Sequence, residues 1–136
     1  NLGMIYEILG RYPEAIKTYN ALLDLNPNHK EAMFSLGWAL MDEKRYLEAA
    51  PILRKAVRLN PENADTHYSL GMAYAELGRN KDALMQYRKT LHMDANHTGA
   101  HEKIVRLQQT IKITPKSQPA LETEATRQDS DIILLP

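Results

Sequence analysis

Residues 30–63 read KEAMFSLGWALMDEKRYLEAAPILRKAVRLNPEN, and residues 64–97 read ADTHYSLGMAYAELGRNKDALMQYRKTLHMDANH. The second stretch is the first moved on by 34 positions. Leu36-Gly37 falls on Leu70-Gly71, Ala49 on Ala83, and Arg54-Lys55 on Arg88-Lys89. The same offset carries Leu2-Gly3 onto Leu36-Gly37, Ala15 onto Ala49, Tyr12 onto Tyr46 and Asn26-Pro27 onto Asn60-Pro61. Tyr6 falls on Leu40 and Tyr74, and Tyr19 on Leu53 and Tyr87. An offset kept at so many positions means one structural unit stacked three times.

Each unit reads as two helices. From Lys30 to Glu43 the apolar residues Met33, Phe34, Leu36, Trp38, Ala39 and Leu40 have the spacing of a helix buried on two sides, not of a strand. A break at Lys44-Arg45 follows, then a second helix from about Tyr46 to Leu59 with Ala49, Ala50, Leu53, Ala56 and Val57 inward. Asn60-Pro61 ends it, because the residue before a proline is pushed out of the helical region. The third unit predicts helices near 64–77 and 81–93. Gly10 and Gly78 fall at the ends of first helices, where a left-handed residue is favoured.

Gly3, Gly37 and Gly71 lie inside helices, where glycine costs about 1 kcal/mol relative to alanine. Its recurrence predicts a steric need: a neighbouring helix passes close. Ala15, Ala49 and Ala83 are expected to face the glycines, with Tyr6, Tyr19, Tyr74 and Tyr87 filling the gaps between layers.

These residues resemble the tetratricopeptide repeat, a 34-residue pattern of a large residue, Leu-Gly, Tyr, Ala, an aromatic, a small residue and Pro. The second copy shows Met33, Leu36, Gly37, Leu40, Ala49, Leu53, Ala56 and Pro61. The third shows His67, Leu70, Gly71, Tyr74, Ala83, Tyr87, Thr90 and Ala95, and the first Leu2, Gly3, Tyr6, Ala15, Tyr19, Leu22 and Pro27. His67 and Ala95 depart from the pattern, and Ala95 predicts a less sharp last boundary. The resemblance implies an all-α, right-handed superhelical solenoid of stacked antiparallel helix pairs. It divides residues 1–112 into a first repeat lacking its front (1–29), two full repeats (30–63 and 64–97) and a capping helix (98–112) striped by Ile104, Leu107 and Ile111. The truncated first repeat reads as the C-terminal part of a longer array. Residues 113–136 are polar and without period, which predicts disorder, and end on Ile132-Ile133-Leu134-Leu135-Pro136.

Composition narrows the function. Seventeen Lys+Arg balance seventeen Asp+Glu, a poor basis for nucleic-acid binding. Without cysteine there is no disulfide, thiolate metal site or cysteine nucleophile. No apolar run approaches the roughly 20 residues of a membrane span. The expectation is a soluble protein, with the cytoplasm preferred over the periplasm and the compartment left open. The glycines form no phosphate-binding loop, and no serine-nucleophile motif is present. His97 and His101, four apart, have a metal-compatible spacing but no third ligand fixed by it, so they read as surface histidines near a turn. His67 reads as packed between layers. Carboxylate pairs such as Asp42-Glu43 lie outside any enclosed pocket. The expectation is no enzyme, no metal and no cofactor.

In the resembled family, ligands usually bind the concave face lined by first helices, as extended or helical peptides. Spacing of i, i+4, i+7 places Glu31, Phe34, Trp38 and Met41 there in the second unit, and Asp65, Tyr68, Met72 and Ala75 in the third. It adds Met4 with Glu7 or Ile8 in the first unit, and Glu102, Arg106 and Gln109 in the cap. The candidate partner-binding residues are Met4, Glu31, Phe34, Trp38, Met41, Asp65, Tyr68, Met72 and Arg106. Phe34, Trp38, Tyr68 and Met72 supply apolar anchors, and Glu31, Asp65 and Arg106 polarity. Some family members clamp a C-terminal carboxylate with Lys and Asn on first helices. Asn1 matches one such Asn, but Ser35 and Ser69 occupy the corresponding later positions and Asp65 stands where a Lys is needed, so that clamp is not expected. The partner is a protein or peptide. Two rival readings are a scaffold part of a larger enzyme or assembly factor, and self-association through a tail that reaches a groove.

Overall fold

A helix ends where its next residue leaves the helical region, and three such ends recur here 34 residues apart. Gly10 and Gly78 adopt φ of 71° and 77°, and between them Lys44 is forced to 59° without the freedom of glycine. These turns join the two helices of each unit. The computed structural model describes residues 1–113 and contains α1 (Leu2–Ile8), α2 (Tyr12–Leu25), α3 (Lys30–Asp42), α4 (Tyr46–Leu59), α5 (Ala64–Glu76), α6 (Asn80–Met93) and α7 (Thr98–Ile113). Among the described residues no strand occurs, so the fold is all-α. Each helix packs on its neighbours in the chain, and α3 also touches α5. The tail expected to be disordered lies, from 114 onward, outside the described residues.

Position and cap agree along the array. His29 and Asn63 each cap a first helix by accepting a backbone N–H three residues on, from Ala32 and Thr66. His97 does the same for α7 through Ala100, at 3.1 Å. Arg11, Arg45 and Arg79 stand just before the second helices and pair with Glu14, Glu48 and Asp82 in the first turn. The bond from arginine holds the Glu14 and Glu48 carboxyls below the usual glutamate range. The guanidinium of Arg11 also lies over the Tyr6 ring and that of Arg79 over Tyr74.

The boundary without proline is as sharp as the one with it. Asn60 leaves α4 at φ −144°, ψ 72°, and Asp94 leaves α6 at φ −138°, ψ 91°, although Ala95 follows it. Asp94 holds the turn itself, its carboxylate accepting from the Asn96 N–H at 3.2 Å.

The glycines face large residues, not the alanines. A Cβ on Gly3 would lie 2.5 Å from the Tyr19 ring, and one on Gly71 2.6 Å from the Tyr87 ring. Leu53 takes that place over Gly37. Tyr19, Leu53 and Tyr87 are fully buried, and Ala15, Ala49 and Ala83 are buried beside them. The second helix thus lays its largest side chain into a notch on the first.

Gly71→Ala is expected to destabilise by about 2 kcal/mol, because the buried Tyr87 ring has no room to give. Lys44→Gly is expected to stabilise by about 1 kcal/mol by relieving the left-handed strain. Urea unfolding of each variant against wild type measures both.

Candidate functional site

The first helices are stiff rods, so residues three and four apart on them meet the same neighbours. α3 offers Phe34, Trp38 and Met41, and α5 offers Tyr68 and Met72. Trp38 and Phe34 meet edge to face, with ring centroids 6.3 Å apart. Trp38, Met41 and Met72 come together in a depression of about 160 Å3. Tyr46, Ala75 and Tyr87 complete its apolar wall, and Asp42, Glu76 and Lys103 ring it with charge. Lys103 comes from α7, so three first-type helices contribute. Met41 is nearly buried, at 8% exposed, and forms floor rather than rim.

The other candidate residues lie around this centre. Glu31 and Phe34 border a smaller hollow with Asn63 and Thr66 where the second and third units join. Tyr68 stacks against His97, centroids 4.6 Å apart, and against Tyr87 at 5.7 Å. Asp65 holds the other nitrogen of His97, with Oδ1 to Nε2 at 3.3 Å. Burial pushes the Tyr68 phenol up, the Glu102 carboxylate adds to this, and Arg106 opposes it, which puts both charges from α7 beside that ring. Arg106 itself is exposed and shares an open hollow with Glu102 and Gln109. Met4 is exposed on α1 and joins none of these hollows.

His29, His67, His97 and His101 have structural partners. His67 is 4% exposed, with Nδ1 2.8 Å from the Gln86 side chain and Nε2 3.0 Å from the Pro61 carbonyl. His101 Nε2 lies 2.8 Å from the Ala95 carbonyl oxygen. His97 is therefore a cap and a stacking partner rather than a bare surface histidine. Among the described residues no group of three or more His, Cys, Asp or Glu has metal-binding geometry.

Asp42, Glu76, Tyr87 and Lys103 also line the depression, although they are not among the candidate partner-binding residues. A signal for two of them exists: Asp42 and Glu76 are 34 apart, so an acid recurs at one position of the unit. Burial pushes the Asp42 carboxyl above the ordinary aspartate range. Burial also raises Glu7, against a lowering by the Tyr19 hydroxyl, and Asp42 adds to the rise. Glu7 and Ser35 face that hydroxyl, although neither closes a hydrogen bond of normal length.

Two tetratricopeptide repeat profiles match the sequence, one over residues 1–64 and one over 40–103. The chain belongs to the tetratricopeptide repeat family. Similar solved structures agree with this array. The first repeat domain of Spaghetti (RPAP3), bound to the HSP90 peptide SRMEEVD, is 24% identical with a TM-score of 0.79, over 81% of this chain and 87% of its own. MamA is 26% identical with a TM-score of 0.80, over 94% of this chain and 77% of its own. YrrB, described as a repeat protein with an unusual peptide-binding site, is 27% identical with a TM-score of 0.70, over 74% of this chain and 52% of its own. Among curated proteins none matches the sequence. Among the described residues of this tetratricopeptide array, no helix is long and apolar enough to cross a membrane.

His97→Ala is expected to cost about 1 kcal/mol through loss of the α7 cap, and His97→Asn much less, since Asn63 caps α5 in the same way. Amide exchange in α7 measures it. A carboxyl whose folded pKa exceeds its unfolded one favours the folded state below the unfolded value, and that advantage is lost as pH rises through the folded value. Asp42→Asn should therefore raise the melting midpoint slightly at about pH 7 and leave it unchanged at about pH 3. A wild-type and variant melt at each pH checks the sign.

Proposed function

We propose that residues 1–112 form a non-catalytic protein-interaction scaffold in four parts (1–29, 30–63, 64–97 and 98–112). It binds a peptide or partner helix along the face lined by α1, α3, α5 and α7. The observation that carries this reading is the meeting of Trp38 and Met72, two partly exposed apolar side chains from different units, over a single depression. An aromatic anchor beside a methionine suits a partner surface, because the indole supplies area and the thioether adapts. Phe34 and Tyr68 extend the same face on either side. Glu31, Asp65 and Arg106 lie at its margins, where charge affects association rate more than affinity.

Peptide recognition by the RPAP3 domain supports the class of partner but not its chemistry. A carboxylate-ended peptide would meet Asp65, Asp42 and Glu76 on this face. No enzymatic role is proposed. Self-association remains a second reading only through the tail, which lies outside the described residues.

Trp38→Ala is expected to weaken partner binding by about 2 kcal/mol without loss of helicity. Capture from source lysate by wild type and Trp38→Ala, followed by titration of the captured partner, measures this. Equal binding by both proteins removes the groove as the site.

A further inference from the structure

We infer that the depression between Trp38 and Met72 takes one lysine or arginine side chain of the partner, an assignment that rests on the groove reading above. Asp42 and Glu76 bring two negative charges to it and Lys103 one positive charge, which leaves one negative charge to be matched. One guest cation balances it. The volume of about 160 Å3 suits a single long side chain and not a helix. A guest's methylene stem would lie along Met72 while its charged end reaches the carboxylates, as such side chains do at other apolar rims. The indole of Trp38 adds attraction for a cation over its face.

Burial raises the Asp42 carboxyl, and a cation seated beside it would lower it again.

The test is selection of phage-displayed random twelve-residue peptides on the full chain, followed by fluorescence anisotropy of the enriched peptides. The expected peptides carry Lys or Arg beside apolar residues, whereas peptides with no basic residue bind weakly. Replacing the peptide's basic residue by norleucine should weaken binding to wild type about tenfold, and binding to the Asp42→Asn/Glu76→Gln variant hardly at all. Peptides that need Trp38 but lack a cation, or that ignore Asp42→Asn/Glu76→Gln, overturn the assignment and leave the groove reading standing. A library that enriches nothing, or only peptides indifferent to Trp38→Ala, overturns both.

Discussion

Everything in this array depends on a side chain lying where a Cβ would be. Tyr19, Leu53 and Tyr87 press against Gly3, Gly37 and Gly71 so closely that alanine at the glycine would meet them at 2.6 Å or less. The glycine gives up about 1 kcal/mol of helix propensity at each site. Burying a leucine-sized or larger side chain returns about 1.5–3 kcal/mol, so the exchange favours the notch. The notch sets how closely the two helices of a unit approach. Repetition of that distance then holds α3 and α5 side by side, which is what brings Trp38 and Met72 to one depression.

The repeat period made most of the fold legible. An offset of 34 residues locates both helices of every unit, and α4 begins and ends where its periodicity says. Two inferences drawn from residue type alone did not survive. Small residues were paired with small ones, but Ala15, Ala49 and Ala83 only fill space beside the notch. Ala95 was expected to blur a boundary that Asp94 keeps sharp through its own carboxylate. In the first case the controlling contact comes from a large side chain on the next helix, in the second from the carboxylate of the adjacent residue, and a reading of each position by itself has access to neither.

The site was legible in part for the same reason. Helical spacing selects the residues of one face, so Trp38 and Met72 could be placed on it. Spacing along one helix does not reveal what arrives from another. Lys103 comes from α7 and Tyr87 from α6, and both reach the depression only because the superhelix folds those helices across it. Met41 shows the converse limit, being on the right face but too deep to be rim.

A formal net charge of zero hides an uneven distribution. The face of the first helices carries Glu31, Asp42, Asp65, Glu76 and Glu102 against Lys30, Lys103 and Arg106. The exposed side of α6 carries Lys81, Arg88 and Lys89 around Met85 and Met93. Such separation leaves a field near each face even though the sum vanishes, and a field of one sign steers partners of the other. The notch explains why this separation follows the fold. First and second helices alternate along the chain, so residues of one sign placed on one type of helix collect on one side of the array. Neutral composition describes only the sum, whereas the face that the first helices build is acidic. Its chemistry is set by which helix of the unit each charge sits on, not by their total.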